Sequence, residues 1–363
     1  MRTRTKAGML AALAIMLGVI TMLAPAADAQ PTVQGIADSG PRTFKSPLWH
    51  GLNVRHVRAI VPYNVALLPE RNNRRHDFEE WLFRAKAAGA SVNVGLGRIK
   101  QGPGRGHAPD ERTYRRAFRA FVSRYGRIVD TIGPWNEPNF RPNREQRLLL
   151  PDRRHFLDDP NAGCARPTVN NCGPRLAAYY YRWAAHDCRR CTLAAGEFAG
   201  TQSSNYVQKY KLHLGPRHPA VWSVHNYADV IRFQVRNNHQ AAELRMFVRE
   251  LYCLRGNHCI RGKTTWTSGQ LWIGAVGAYY QLDCHAHRVS CTPGRRVHVF
   301  GPISQCRAAA FINRLPGISS KITRIYYYTF SDRRTGDNTG LVAAGSGRPA
   351  YAVIRDRAKT CRA

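Results

Sequence analysis

The sequence predicts an α/β protein, a (β/α)8 TIM barrel formed as a single domain. Strand-like and helix-like segments alternate along the chain with no long linker, which is typical of a parallel sheet covered by helices. The chain has 363 residues, 44% of them hydrophobic, which is enough for one large barrel with a sizeable core. A doubly wound open sheet is the alternative, but no glycine-rich dinucleotide-binding turn follows the first strand.

Short apolar segments rich in β-branched and aromatic residues predict the eight strands. Val33 to Ala37 has the weakest pattern, whereas Val57 to Pro62 is a clear run that a proline ends. The others cover residues 91–96, 129–135, 192–196, 220–225, 270–274 and 322–328. In a barrel of this kind the reactive groups gather at the carboxyl ends of the strands.

Apolar residues at helical spacing predict the intervening helices. Residues 77–88 have this spacing, and Gly89 stands where a C-terminal cap is expected. The pattern also predicts helices over residues 110–125, 174–187, 205–214, 239–252 and 304–314, and a last helix after Pro349.

The first thirty residues resemble an export signal rather than part of the barrel. Arg2, Arg4 and Lys6 precede an apolar run over residues 8–24, and Ala27-Asp28-Ala29 offers a cleavage site. We therefore expect a signal peptide over residues 1–29 and a secreted, extracellular barrel over residues 30–363. A retained membrane anchor is the alternative, because the apolar run is longer than many signal-peptide cores. No later stretch is apolar enough to span a bilayer.

The chain is strongly basic, with 55 Lys and Arg against 23 Asp and Glu and a net charge of +32. For an exported protein this charge favours anionic partners, such as an acidic polysaccharide or a cell-surface polymer. The alternative is a compositional bias without a ligand. No nucleic-acid-binding module is recognisable, so no nucleic-acid partner is expected.

All ten cysteines follow residue 163, and an even number in an exported protein predicts disulfides that staple the loops. Local pairs are Cys164 with Cys172, Cys253 with Cys259, and Cys284 with Cys291, while the connectivity as a whole stays open. Cys188-x-x-Cys191 is expected to be structural. Metal binding by Cys284, His285, His287 and Cys291 is the alternative to a disulfide-closed loop, and we expect neither a metal nor a cofactor.

A carboxylate with an amide neighbour stands at the end of the fourth predicted strand, in Trp135-Asn136-Glu137-Pro138-Asn139. A carboxylic acid there can protonate a leaving oxygen, and the amide can bind a sugar hydroxyl beside the bond that breaks. An ordinary turn is the alternative for an isolated Asn-Glu-Pro.

With this motif the sequence resembles the clan of retaining glycoside hydrolases on (β/α)8 barrels, which includes cellulase-like and xylosidase-like enzymes. The resemblance extends over residues 33–355. It rests further on Arg58 of strand two, His225-Asn226-Tyr227 after strand six, the run Tyr326-Tyr327-Tyr328-Thr329-Phe330, and the segments 337–341 and 347–351.

The resemblance implies a role for each matching residue. Glu137 would be the general acid/base, and Asn136 would bind the hydroxyl next to the anomeric carbon. Arg58, His225 and Tyr227 would steady the nucleophile and the substrate. Flat surfaces for a pyranose ring would come from Trp135, Tyr328 and Phe330, although core packing is the alternative for at least one of the strand-eight tyrosines.

The sequence departs from the clan at the nucleophile. A retaining enzyme needs a second carboxylate about 5 Å from the first, in a strand-seven pattern such as Trp-Ile-Thr-Glu-x-Gly. This chain has Trp-Ile-Gly-Ala-Val-Gly over residues 272–277, so that Ala275 occupies the nucleophile position. Glu197, Asp229 and Asp283 are possible substitutes, and Glu197 is best placed because strand five neighbours strand four. A carboxylate about 6.5–9.5 Å from Glu137 would support inversion through an activated water instead.

Two functions are consistent with these observations. One is a secreted glycoside hydrolase that cleaves O-glycosidic bonds of a polysaccharide with Glu137. The other is an inactive, strongly basic glycan-binding protein of the cell surface, with a cell-wall or anionic glycan as partner. A surface protein in which the charge serves adhesion and the cleft is vestigial is a third interpretation. A monomer is expected.

Overall fold

Strands and helices alternate along the chain in the computed structural model, which describes residues 32–99, 108–139, 172–200, 204–252, 268–287, 296–332 and 336–362. Its strands are β1 Val33–Ala37, β2 His56–Pro62, β3 Ser91–Gly97, β4 Thr131–Gly133, β5 Ala194–Ala199, β6 Val221–His225, β7 Gln270–Val276, β8 Gln281–Asp283, β9 Val297–Val299, β10 Ile322–Tyr327, β11 Val342–Ala343 and β12 Ser346–Gly347. The expected signal peptide lies outside the described residues and stays a prediction.

Eight of these strands form one parallel sheet in the order β4-β3-β2-β1-β10-β7-β6-β5. A bridge between Ile132 and Leu193 joins the two edge strands, and Ile132 N–H donates to the Thr192 carbonyl at 3.0 Å. The sheet therefore closes on itself as a barrel, as the alternation of segments predicts. Two short antiparallel hairpins, β8 with β9 and β11 with β12, lie outside this sheet and were not predicted.

Each predicted strand overlaps an observed barrel strand, although five of them end one to three residues away from the predicted position. Strand β4 ends at Gly133, because Pro134 has no N–H to donate to the sheet. Strand β5 continues through Gly196 to Ala199, with an irregular register between Ala195 and Phe198. A glycine that looks like a strand terminator is here the first residue of a bulge.

The helices are α1 Pro47–Gly51, α2 Asn73–Ala87, α3 Glu111–Tyr125, α4 Cys172–Asp187, α5 Ser204–Leu214, α6 Tyr227–Arg236, α7 Ala242–Tyr252, α8 Cys284–His287, α9 Gly301–Ile312 and α10 Pro349–Arg355. Short 3₁₀ turns cover Pro41–Lys45, Val65–Leu67 and Leu315–Ile318. Side-chain caps fix two of the starts, since Asn72 accepts from Arg74 N–H at 3.1 Å and Asp110 accepts from Thr113 N–H at 2.7 Å. Helices α1, α6 and α8 were not predicted, and α7 begins three residues after the predicted start.

The core has an outer and an inner part. The apolar faces of the helices pack on the outside of the barrel through side chains such as Phe78, Trp81 and Phe121. Inside the barrel, Trp272 and Tyr326 form a separate buried cluster with small residues from other strands. The members of this cluster come from β1, β5, β6, β7 and β10, so the barrel interior is packed with side chains rather than open.

Disulfides join Cys188 to Cys191 and Cys306 to Cys361, and Cys284 is disulfide-bonded as well. The predicted pairs of Cys172, Cys253 and Cys284 each involve cysteines outside the described residues. Because the thiol of Cys284 is consumed in a disulfide, it does not ligate a metal. Within the described ranges no three His, Cys, Asp or Glu side chains cluster as a metal site, and no helix is long and apolar enough to cross a membrane.

Candidate functional site

Glu137 lies at the carboxyl end of the barrel, in the segment that follows β4. Asn136 N–H donates to the Leu96 carbonyl of β3 at 2.7 Å, and Glu137 N–H donates to the Glu197 carbonyl of β5 at 2.9 Å. The backbone of Glu137 is left-handed, with φ of +51°. The chain is thus held between two neighbouring strands in a conformation that non-glycine residues rarely adopt. The Glu137 side chain remains 23% exposed, so it is accessible to solvent at the carboxyl end of the barrel.

His225, the last residue of β6, contacts the Glu137 carboxyl group. Its Nδ1 lies 2.7 Å from Glu137 Oε1, and its own side chain is fully buried. The imidazole has room because residue 274 of the neighbouring strand is glycine: a Cβ there would lie 3.3 Å from His225 Nε2 and would overlap Ser223 Oγ. The pair therefore fixes the orientation of the one carboxyl group of the predicted motif.

Arg58 of β2 and Glu197 of β5 form an ion pair in the barrel interior. Arg58 Nη2 lies 2.9 Å from Glu197 Oε2, Arg58 Nε donates to Glu197 Oε1 at 3.2 Å, and both side chains are 0% exposed. The same Nη2 donates to Asn136 Oδ1 at 2.9 Å. The guanidinium thus connects a buried carboxylate to the amide that precedes Glu137.

The carboxylate of Glu197 occupies space that two glycines leave free. A Cβ at Gly95 would lie 2.5 Å from Glu197 Oε2, and a Cβ at Gly133 would lie 2.5 Å from both carboxylate oxygens. Gly196 and Glu197 have φ of +87° and +43°, so the bulge in β5 turns the side chain inward. Sequence analysis missed Gly95 and Gly133, although glycine inside a strand is a signal of such close approach.

Tyr227 and Tyr328 lie at the rim of the site, and each is half-buried. Their rings meet edge to face with centroids 5.9 Å apart, and the Tyr227 ring lies 6.4 Å from the His225 ring. Burial raises the pKa of the Tyr227 phenol, and nearby Tyr328 and Glu137 raise it further. Tyr227 therefore keeps its proton near neutral pH and acts as a hydrogen-bond donor. Tyr279 was not predicted as a site residue; burial raises the pKa of its phenol, and the charges of Asp337 and Glu137 raise it further.

Trp135 and Phe330, which we expected to stack on sugar rings, lie in the core instead. Trp135 is 5% exposed and stacks on Tyr180 with centroids 4.7 Å apart. Phe330 is 1% exposed and packs edge to face against Trp49. Neighbouring side chains already cover these rings, so the prediction that Trp135 and Phe330 offer flat surfaces to a sugar is wrong. Of the three predicted flat surfaces only Tyr328 stays at the rim.

Ala275 lies in β7 opposite His225, and its carbonyl accepts from Asn226 N–H at 3.0 Å. The residue is 0% exposed, and its side chain is a methyl group. Strand seven therefore presents no carboxylate to the site.

The other two carboxylates considered as substitutes have structural partners. Asp229 Oδ1 and Oδ2 accept from Glu243 and Leu244 N–H at 3.0 and 2.9 Å, so the carboxylate satisfies two backbone N–H groups in the first turn of α7. Asp283 lies in the hairpin after β7, where Oδ2 accepts from Arg296 Nε at 3.1 Å.

Comparison with solved structures finds many similar barrels. The endocellulase of Pyrococcus horikoshii in complex with cellotetraose matches with a TM-score of 0.52 at 13% identity, over 90% of this chain and 92% of that one. XacCel5A in complex with cellopentaose matches with a TM-score of 0.53 at 10% identity, over 90% and 99% of the two chains. A β-glucuronidase from an uncultured Clostridium matches with a TM-score of 0.54 at 10% identity, over 90% of this chain and half of the longer one.

The chain has a cellulase-like (β/α)8 barrel fold. At 10–13% identity the likeness concerns the fold alone. No protein-family model matches the sequence, and no curated protein matches it.

Proposed function

We propose that this protein is a secreted, glycoside-hydrolase-like protein that binds a polysaccharide at the carboxyl end of its barrel without cleaving it by double displacement. The single observation that carries the proposal is the combination of an accessible Glu137, oriented by His225, with a methyl group at Ala275. The site keeps the groups that hold a sugar and lacks the group that attacks it.

Binding is supported by the partly exposed groups at the carboxyl end of the barrel. Asn136, Glu137 and Tyr227 offer an amide, a carboxyl group and a phenol, which are suited to sugar hydroxyls. Tyr328 adds an aromatic face at the rim, and such faces commonly pack against the apolar side of a pyranose ring. The carboxyl end of a (β/α)8 barrel, where these side chains lie, is the usual place for a ligand.

The partners of Glu197 support the proposal that double displacement does not occur. Its carboxylate is fully buried against Arg58, so an attack on an anomeric carbon would require that the ion pair break. Breaking a buried pair leaves an uncompensated charge, which costs about 3–5 kcal/mol. We therefore infer that Glu197 does not act as a substitute nucleophile, and that Asp229 and Asp283 remain structural.

The charge of the chain supports an anionic ligand. The net charge of +32 falls only to +30 without residues 1–29, which hold three basic residues and Asp28, and it favours association with acidic polysaccharides or cell-wall polymers after export. If this attraction contributes to affinity, binding of an acidic glycan weakens as salt rises, while binding of a neutral glycan does not.

Hydrolysis is the second candidate function, because the contact between Glu137 and His225 keeps a carboxyl group in the position of a general acid. Mass-spectrometric product detection separates the two candidates. The secreted protein is incubated with β-linked oligosaccharides, neutral and acidic, and with activated aryl glycosides, each with and without azide. Glu137→Gln serves as the control.

We expect binding by calorimetry and no hydrolysis product. Product that forms without azide and disappears in Glu137→Gln would establish the hydrolase and refute the proposal. Glycosyl azide as the sole product would support a site that lacks only its nucleophile.

Tyr328→Ala tests the location of the binding site. We expect it to weaken glycan affinity roughly tenfold, because one aromatic contact is removed. Tyr179→Ala is the matched control: this tyrosine lies on α4 on the outside of the barrel, under the guanidinium of Arg182. Equal affinities of the two variants would place the ligand elsewhere.

A further inference from the structure

The barrel interior beneath the Glu137–His225 contact is polar. Arg58 of β2, Glu197 of β5 and Ser223 of β6 are each at most 1% exposed, and none of them belongs to the outer core, in which the adjacent apolar residues of their strands pack. They therefore point into the barrel, as does His225, which follows Ser223 by two residues. Interiors of (β/α)8 barrels are usually filled by branched apolar side chains. Polar side chains at these positions need partners inside the barrel.

Each of these four side chains has a buried polar atom without a hydrogen-bond partner among the residues that the structure describes. The atoms are Arg58 Nη1, Glu197 Oε2, Ser223 Oγ and His225 Nε2. Glu197 Oε2 lies 2.9 Å from Arg58 Nη2, but the ion pair lacks hydrogen-bond geometry at that oxygen. A buried polar atom without a partner is destabilising, and an ordered water commonly supplies the missing hydrogen bonds.

Ser223 and His225 face the same glycine. Strand β7 neighbours β6, and a Cβ at Gly274 would overlap Ser223 Oγ and lie 3.3 Å from His225 Nε2. Both atoms are therefore close to one point, and the two hydrogen bonds of a single bridging water can span the distance between them. Any larger residue at position 274 would take space from such a water.

The Arg58–Glu197 ion pair lies on the other side of Ser223. The irregular register of β5 sets residues 196 and 197 opposite position 223 of β6, which places Glu197 beside Ser223. A guanidinium only donates and a carboxylate only accepts, and the two charges of the pair cancel. The space between this pair and His225 thus suits a small neutral molecule that both donates and accepts. Because the side chains around it are almost fully buried, water is the molecule that fits.

We propose that the barrel holds a buried water site behind the Glu137–His225 contact, in which a water bridges Ser223 Oγ and His225 Nε2, and that Ser223 positions the imidazole through this water. The 2.7 Å contact of Nδ1 with Glu137 fixes one side of the ring, and the water fixes the other. Because water donates as well as accepts, Nε2 keeps a partner whether or not it carries a proton. The pair can therefore gain or lose a proton while both ring nitrogens stay hydrogen-bonded. This inference does not depend on the ligand that the barrel binds.

A crystal structure and NMR spectroscopy test the water site. We expect ordered density for a water within about 3.2 Å of both Ser223 Oγ and His225 Nε2. In protein labelled with ¹³C,¹⁵N-histidine, the ring signals of His225 are identified by their loss in His225→Gln. We expect a cross-peak between a ring proton of His225 and a long-lived water. A direct hydrogen bond between Ser223 and His225, or a ring without a water cross-peak, would overturn the site.

Ser223→Ala tests the positioning role, because it removes the hydroxyl and hardly changes the volume. We expect the Nε2 signal of His225 to shift and the water cross-peak to be lost. Tyr351→Phe is the matched control: it also removes a hydroxyl from a largely buried side chain, but one that donates to the Leu48 carbonyl at 2.7 Å on the outside of the barrel. It should leave both signals in place. A His225 signal that is unchanged in Ser223→Ala would refute the role of Ser223.

Gly274→Ala fills the space from the side of β7, so it should expel the water and shift the Nε2 signal of His225 in the same way. Gly97→Ala is its control, because this glycine also faces the interior, but the new Cβ meets Ile60 Cγ2 at 3.4 Å. Equal shifts in the two variants would assign the effect to crowding rather than to the water and would overturn the proposal. All these measurements use the protein without ligand. Failure of every glycan to bind would therefore refute the proposed function and leave the water site intact.

Discussion

The glycine at position 133 provides a strict test of how Glu197 is held. A Cβ at this position would lie 2.5 Å from both carboxylate oxygens of Glu197, well inside van der Waals contact. Arg58 holds the carboxylate from the other side, so it cannot withdraw without loss of the ion pair. Overpacking of this kind typically costs about 1–3 kcal/mol. We expect Gly133→Ala to lower the free energy of unfolding by about that amount in urea denaturation.

Two controls assign the loss to this contact. In Gly97→Ala the new Cβ would meet Ile60 Cγ2 at 3.4 Å, which is an ordinary contact, so the free energy of unfolding should change little. In a Glu197→Ala background the carboxylate is gone, and Gly133→Ala should then cost at least about 1 kcal/mol less than in the natural protein. Additive effects of the two substitutions would refute the placement of Glu197 beneath the site.

Three more perturbations test separate parts of the structure. Cys306→Ser opens a loop of 55 residues and should lower the free energy of unfolding by about 4 kcal/mol. Cys188→Ser opens a loop with a sequence separation of three and should lower it by about 2 kcal/mol. Thermal melts of the two variants compare these losses of stability. Burial lowers the pKa of His56 to about 4, so the unfolded chain binds a proton first and stability should fall as pH drops from 6.5 to 4. Urea midpoints over this range should fall less steeply in His56→Gln, and parallel curves would exclude the histidine as the cause. Asp229→Ala removes two hydrogen bonds from the start of α7, so it should lower the free energy of unfolding by about 1–3 kcal/mol and leave glycan affinity unchanged. Loss of binding in calorimetry without loss of stability would instead show that Asp229 belongs to the binding site.

The sequence by itself was sufficient to predict the barrel, because each strand and most of the helices have a recognisable local pattern. Helix α6 is the longest of three exceptions, since the short helices α1 and α8 were not predicted either. Its residues Val230, Ile231 and Val235 are β-branched, which weakens a helical pattern, and its place after β6 comes from packing against the barrel. The absence of a strand-seven carboxylate is equally a property of the sequence, since an alanine at position 275 cannot become one in any fold.

The arrangement of the site depended on contacts between residues far apart in the chain. Arg58 and Glu197 are 139 residues apart, and a bulge that shifts the alternation of β5 decides that Glu197 faces inward. An alternating pattern cannot reveal such a shift, because one extra residue reverses which side chains point into the barrel. Tertiary packing likewise decided that Trp135 is covered by Tyr180 while Tyr328 reaches the rim. Local sequence therefore determined which groups this protein has, and only the closed barrel determined which of them can meet a ligand, because that depends on neighbours from other strands.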